Sequence, residues 1–462
     1  MKKIDVLVIG AGLLGCFSAR ALAQTTLSTL VVEKNNDVCT GISKANSGII
    51  YAGIHTTPDT LKAELCVKGC IEFDSLCKEL DVPFKRTGSI MVCTGKKAEK
   101  KMLERYEQGI RNGVRGLKLL TKEEVLEKEP CLTCNITSGL FVPDTGTVNP
   151  WELCIAAYEN ARDNGVNFSF NEEVLSINRK DYGFIVKTNK DVYLTRTIAN
   201  CAGLEADSIH SLAEPSPVMV EKNGADYLVF DTTTKPRPEH IIFQENDNGK
   251  GITLIPTVDG NILAGPTERP SEDIEDFSTT SEGLEELYSM LNETVPTLPL
   301  NKIIRSFGAT RPNPYFTDKK DKAIYGFTVI EADGLFSLIG IKTPGLTCSK
   351  GLGEVMADKI CTFLGHVEKN PDFYPIRKGI NPVKEMDMTE RNKLIKKDPS
   401  YGEIVCKCQE ITKGEIIEAV KRGAATPEAV KRRTGTSMGR CQGSRCNHII
   451  EDIISEVTDE KC

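Results

Sequence analysis

Nine residues from its start the chain carries Gly10-Ala11-Gly12-Leu13-Leu14-Gly15, and the segments around that loop give it its meaning. Ile4–Ile9 before it is an apolar run suited to a buried parallel strand. Leu13 to about Gln24 has helical patterning, and Thr29–Glu33 reads as a second strand. Strand, turn, helix and strand within about thirty residues make a βαβ unit. In that setting Gly10 permits the tight turn, Gly12 lets backbone approach a pyrophosphate, and Gly15 lets the helix pack close to the strand. Unpaired N–H groups at the helix start then face the phosphates. Glu33 ends the second strand, where an acid accepts hydrogen bonds from a ribose, with Lys34 beside it. A glycine-rich turn that binds nothing would not need strands, helix and acid in register. The pattern calls for an adenine dinucleotide, and by itself it does not separate FAD from NAD.

The other constraints are broader. A chain of 462 residues can hold two or three domains, each with its own core. A formal net charge of -7 argues against a generic nucleic-acid binder. No apolar run reaches the ~18 residues a membrane-spanning helix needs, and the apolar start opens a glycine loop instead of a signal-peptide cleavage pattern. A cytoplasmic or other reducing location is expected, because the seventeen cysteines mostly sit in apolar segments as small hydrophobes and there is no secretory signal. Helices are expected at about 60–80, 97–112 and 351–364. Hairpins are expected over 168–200, with further strands at 227–230, 241–244, 251–255, 262–264 and 335–341. Residues 366–400 have little periodicity and read as a linker.

Four further segments carry a family resemblance. Ser43-Lys44-Ala45-Asn46-Ser47-Gly48-Ile49-Ile50-Tyr51-Ala52-Gly53 resembles the second flavin-contacting segment of the D-amino-acid-oxidase-like superfamily, nearest its glycerol-3-phosphate dehydrogenase/oxidase and L-2-hydroxyglutarate oxidase branch. Asn200-Cys201-Ala202-Gly203 resembles the turn beside the cofactor. Residues 259–267 resemble a substrate-domain strand pair, and Gly340–Thr347 the late loop that returns to the isoalloxazine ring. The resemblance implies FAD, held by Gly10, Gly12, Leu13, Leu14, Gly15, Glu33, Lys34, Ser43, Asn46, Ser47, Gly48, Val174, Ala202, Gly203, Gly345, Leu346 and Thr347. It implies an α/β fold: a discontinuous Rossmann-like FAD-binding domain (about 1–85, 145–215, 325–365) and an antiparallel-sheet substrate domain (about 86–144, 216–324).

The family reaction moves a hydride from a carbon bearing –OH or –NH to the flavin, so the site needs an anion clamp and a base. Arg311 resembles the arginine that grips the substrate's anionic group, and a guanidinium suits carboxylate or phosphate. Arg305 reads as a solvated or structural charge. Lys342, beside the late loop, resembles the glycerol-phosphate branch and tilts the substrate toward a phosphate. His55 is the candidate base among five histidines, with His240 the other considered. Where many relatives carry histidine this chain has Tyr51, so that residue's role does not transfer.

The C-terminal part carries its own signature. Cys406-Lys407-Cys408 is followed, after 32 residues, by Cys441-Gln442-Gly443-Ser444-Arg445-Cys446. This layout resembles the [2Fe-2S] domain of bacterioferritin-associated ferredoxin, and residues 401–462 are expected to form a small, mainly α domain. Thr412-x-x-Glu415 is a capping box for one intervening helix, and Thr426-Pro427 opens a second that ends near Gly435. From Cys406 to Cys446 there are nine Lys/Arg against four Asp/Glu, a net of +5, which offsets the charge of a thiolate-bound cluster. Zinc is the competing metal. Cys131-Leu132-Thr133-Cys134 has C-x2-C spacing without a second pair nearby and reads as incidental.

The expected function is therefore flavin-dependent oxidation of a small anionic hydroxy compound, with sn-glycerol 3-phosphate preferred. Electrons would leave through the cluster to an acceptor protein or quinone-linked subunit, and peripheral attachment to a membrane stays open. An L-2-hydroxy-acid or amino-acid oxidase, and a non-catalytic electron-transfer subunit, are the alternatives.

Overall fold

The computed structural model describes residues 1–133, 135–247, 249–270, 277–318 and 323–459. Cys134 lies outside them. Its neighbour Cys131 is buried with its thiol 3.9 Å from Glu129 Oε2.

Two large sheets organise the molecule. In the first, strand Lys2–Ile9 lies centrally, parallel to Thr29–Val32 on one side and Val192–Asn200 on the other. Asn167–Ser169 extends it beyond Thr29–Val32. Val192–Asn200 shares its far edge between the hairpin strand Gly183–Thr188 and the late strand Leu335–Ile339. Val6, Leu7 and Val8 are fully buried, because a strand covered on both faces must be apolar at every position. Helices Leu13–Leu22, Pro150–Asp163 and Ser349–Leu364 cover this sheet. Strands drawn from residues 2–9, 29–32, 167–200 and 328–339 thus meet in one layer.

The second sheet has nine strands, including the long pair Val218–Phe230 and Ile303–Phe316. It is antiparallel apart from Ser89–Thr94 with Ile241–Asn246, which run parallel. Ile90, Phe230, Ile252 and Leu287 pack in its own core.

Residues 404–457 enclose a third, separate core around Ile416, Val430 and Ile450. The Thr412–Glu415 capping box forms as expected, Glu415 accepting from Thr412 N–H at 2.8 Å, and Pro427–Thr434 ends at Gly435. The linker expectation is corrected. Met388–Lys397 is a helix, opened by a capping box of Asp387 and Glu390 that the polar composition concealed. The segment is also anchored, since Arg377 Nε lies 2.7 Å from buried Glu159.

Charged contacts seat the C-terminal domain on the first sheet's layer. Asp37, just past the second strand, is 2% exposed and takes hydrogen bonds from Arg432 (2.6 Å) and Arg433 (2.7 and 2.8 Å). Arg422 adds a 3.2 Å contact to Glu159. Burial pushes the Asp37 carboxyl up, but the Arg433 and Arg432 guanidiniums outweigh it and hold it below the ordinary aspartate value. A depressed carboxylate stabilises fully above its unfolded pKa near 3.8 and loses that contribution as pH falls through the folded value. Asp37→Asn leaves two arginines buried without a counter-charge and is expected to cost about 3–5 kcal/mol at neutral pH. Thermal unfolding monitored at pH 7 and at pH 3 checks this: the variant should fall well below wild type at pH 7, with the gap narrowing at pH 3.

Candidate functional site

A cavity of about 1090 Å³ lies between the two sheets, with the glycine loop at one end and the long antiparallel pair at the other. That is more room than a small metabolite fills, and fits a dinucleotide together with a small substrate. All residues assigned to the dinucleotide line it except Gly15, Gly48 and Thr347. Those three shape the wall from behind. A Cβ at Gly15 would stand 1.9 Å from Gly10 O, so hydrogen there is what lets the helix close on the turn. Gly48 backs onto Val148 O, and Thr347, 1% exposed, accepts the Tyr51 N–H on its hydroxyl at 3.0 Å.

Several assigned side chains also hold the loop in shape. Glu33 accepts from Ala11 N–H at 2.8 Å and from Asn35 N–H at 2.9 Å, clasping the glycine turn. Ser43 Oγ accepts from Leu13 N–H at 3.0 Å, so this N–H of the helix start, expected to be open to phosphates, is taken. Asn46 Oδ1 accepts from Gly48 N–H, folding the second segment on itself. Lys34 pairs with Glu205 at 2.8 Å across the cavity wall. Tight glycine approaches, an acid at the strand end and a roomy cavity together fit FAD.

At the other end Arg311, Lys342 and His55 come together although they lie far apart in sequence. Arg311 and Asn313 alternate along strand Ile303–Phe316, and Lys342 Nζ donates to Asn313 Oδ1 at 2.8 Å. Burial lowers the Lys342 pKa; Glu268 pulls it up, and Arg311 pushes it further down. Burial raises the Tyr51 phenol pKa, with Tyr227 adding to the effect and Arg311 opposing it, so the phenol keeps its proton. His55 packs edge-on to Tyr51 (5.8 Å between centroids) and against Phe243 (5.4 Å), giving an aromatic wall beside the cationic pair.

His240 is removed from this site. It does not line the cavity, and its Nδ1 lies 2.6 Å from Glu129 Oε1. His210 is buried against Ser337. Sequence reading missed Lys101 and Arg105, which helix Lys96–Arg111 brings to the cavity, along with Tyr227, Phe243, Glu268 and Asn313. No local pattern marks them; only the sheet pairing brings them to the site.

The C-terminal cysteines form two pairs. Cys408 and Cys441 sulfurs stand 3.5 Å apart, and Cys406 interacts with Cys446. Cys406 and Cys446 are buried, Cys408 is exposed and Cys441 is partly so. Burial raises the Cys406 thiol pKa. For Cys441 slight burial is outweighed by the N–H of Gly443, the Cys408 thiol and Arg445, and its pKa falls. Among the described residues no three metal-ligating side chains gather round one ion position. Two thiol pairs can supply the four thiolates that a [2Fe-2S] cluster takes.

Two family models match the chain. Residues 5–359 match the model of the family described as FAD dependent oxidoreductase, and residues 404–456 that of the BFD-like [2Fe-2S] binding domain. A glycerol 3-phosphate dehydrogenase of Caloramator mitchellensis is 40% identical over 454 residues, covering 98% of this chain and 94% of that protein. The mitochondrial L-2-hydroxyglutarate dehydrogenase of Homo sapiens is 30% identical over 57% of this chain and 61% of its own length. The solved structure of the FAD-bound L-alpha-glycerophosphate oxidase from Mycoplasma pneumoniae superposes with a TM-score of 0.74 at 27% identity. It covers 81% of this chain and 98% of that one.

Proposed function

The chain belongs to the FAD dependent oxidoreductase family, and on that footing we propose that it oxidises sn-glycerol 3-phosphate to dihydroxyacetone phosphate. It is a glycerol-3-phosphate-dehydrogenase-like enzyme that uses FAD and a [2Fe-2S] centre. The observation that supports the substrate is the presence of Arg311 and Lys342, close enough for Arg311 to lower the lysine's pKa, in the cavity that the glycine loop also lines. Two cations suit a phosphate dianion better than a single carboxylate.

When bound, the flavin supplies a two-electron acceptor and the cluster a one-electron carrier. The rest falls to the chain's own side chains. Arg311 forks onto the phosphate oxygens. Lys342, steered by Asn313, adds a second charge, so the reacting carbinol is held at a set distance from the anchored end. In this reading His55 takes the hydroxyl proton, and Tyr51 and Phe243, whose rings pack on it, exclude water around it. Among the described residues no helix is long and apolar enough to cross a membrane.

The test is anaerobic bleaching of the flavin by glycerol 3-phosphate, L-2-hydroxyglutarate, L-lactate, sarcosine and proline. Glycerol 3-phosphate should bleach fastest. Preference for hydroxyglutarate would replace this reading with a carboxylate clamp at Arg311, and no bleaching at all would leave an electron-transfer subunit.

The Lys342 charge sets a pH dependence. A lysine is cationic below its pKa, and here that pKa lies below the ordinary 10.5. KM for the phosphate substrate is therefore expected to rise as pH climbs toward the ordinary lysine range. Lys342→Met should show a higher KM at neutral pH without that alkaline rise. An unchanged alkaline limb in the variant would remove Lys342 from the clamp.

A further inference from the structure

We propose that the exposed edge of the cluster domain, together with the adjoining start of strand Ile303–Phe316, is the docking site for a small acidic electron-carrier protein. The proposal rests on the [2Fe-2S] reading of the four cysteines.

The thiol pairs are buried unequally: Cys406 and Cys446 are each 1% exposed, whereas Cys408 faces solvent. A carrier gains its shortest approach at the Cys408–Cys441 side. That side is ringed by cations from two domains. Lys407 and Arg445 are exposed beside the ligands, and the Arg440 side chain is 70% exposed, with its Nε 3.4 Å from Asp231. From the other domain, Lys302 reaches Thr233, two residues from Asp231, and Arg305 touches Gln442 within the ligand loop at 3.5 Å. Asp231 is only 5% exposed; the exposed acids between the two ligand pairs are Glu410, two residues from Cys408, and Glu428, which pairs with Lys431 at 3.2 Å. Arg305 is also felt at Lys431, whose pKa burial and Arg305 lower against the opposing pull of Glu428.

Charge compensation of a thiolate cluster accounts for cations in the ligand loops. It does not account for Lys302 and Arg305, which lie just before and within the start of a strand of the second sheet. The chain carries -7 overall, so a basic patch here runs against the sign of the whole and would steer an acidic protein to this face. A lipid surface is the poorer occupant. Ile404 is the large apolar side chain exposed in the segments carrying the cysteines, too little to insert. Oxidising one alcohol to a ketone releases two electrons and two protons. Two carrier molecules each take one electron, and the protons pass to water.

The experiment uses the full-length holoprotein and an acidic plant-type ferredoxin as probe, with affinity measured by calorimetry at low and high salt. A Lys302→Glu/Arg305→Glu variant changes the patch without touching the ligand loops, and Lys407→Gln is a second, milder variant. Wild type should bind the ferredoxin and weaken with salt. The double variant should bind at least about tenfold more weakly, with a flatter salt dependence and unchanged cluster EPR and substrate bleaching. Equal affinity for basic cytochrome c, unchanged ferredoxin binding by both variants, or binding only to vesicles containing phosphatidylglycerol would overturn the proposal. Ferredoxin binding by a protein that shows no cluster signal supports the surface and faults the cysteine reading instead, so the two failures are distinct.

Discussion

Gly15→Val is expected to yield a folded protein without yellow colour. The new Cβ would lie 1.9 Å from Gly10 O and 3.0 Å from Gly10 C, both backbone atoms. Gly10 sits against Cys201, since a Cβ built on it would come within 2.7 Å of Cys201 O, and its φ of +96° leaves the turn little freedom to adjust. The helix Leu13–Leu22 must therefore back away from the turn, taking its N-terminus off the phosphates. A loss of about 3 kcal/mol of binding corresponds to a more than 100-fold weaker FAD affinity. The visible flavin band relative to protein absorbance, with far-UV circular dichroism to show the fold intact, checks it. A stoichiometrically yellow variant would sink the assignment of the loop.

The second large effect is expected at Arg311. Arg311→Ala removes the forked partner of the anionic group in a site walled by Tyr51, Phe243 and Lys342. Losing one member of a desolvated charge pair costs on the order of 2–4 kcal/mol, so kcat/KM should drop about 30- to 1000-fold, mostly through KM. The flavin spectrum should not change. Arg311→Lys should recover part of the loss, since it restores charge without the fork. Uncharged glycerol, expected to be a poor substrate of the wild type for want of an anionic group, should be insensitive to either change. A fall below about threefold with glycerol 3-phosphate would place the anion elsewhere.

Not all of the site was equally legible. The loop at Gly10–Gly15 and the two C-terminal thiol pairs were readable because each is a local pattern: a turn, a helix start, a spacing along one stretch. The helix Met388–Lys397 was missed because its charged surface shows no apolar stripe, although Asp387 and Glu390 do signal its start. Lys101 and Arg105 were missed for a different reason. They lie on a helix that reads as solvated, and only the parallel pairing of Ser89–Thr94 with Ile241–Asn246 carries that helix to the cavity. His240 shows the reverse, a plausible base in the sequence that the fold spends on Glu129.

The amino-acid order alone determined the βαβ start, the dinucleotide loop and the spacing of the two cysteine pairs, since each is a pattern within one short stretch of chain. The tertiary structure decided which charges meet. It set Lys342 beside Asn313, Asp37 between Arg432 and Arg433, and Arg305 against the cluster loop. Such pairings depend on how sheets and domains pack, and segments hundreds of residues apart leave no periodic trace of them in the chain.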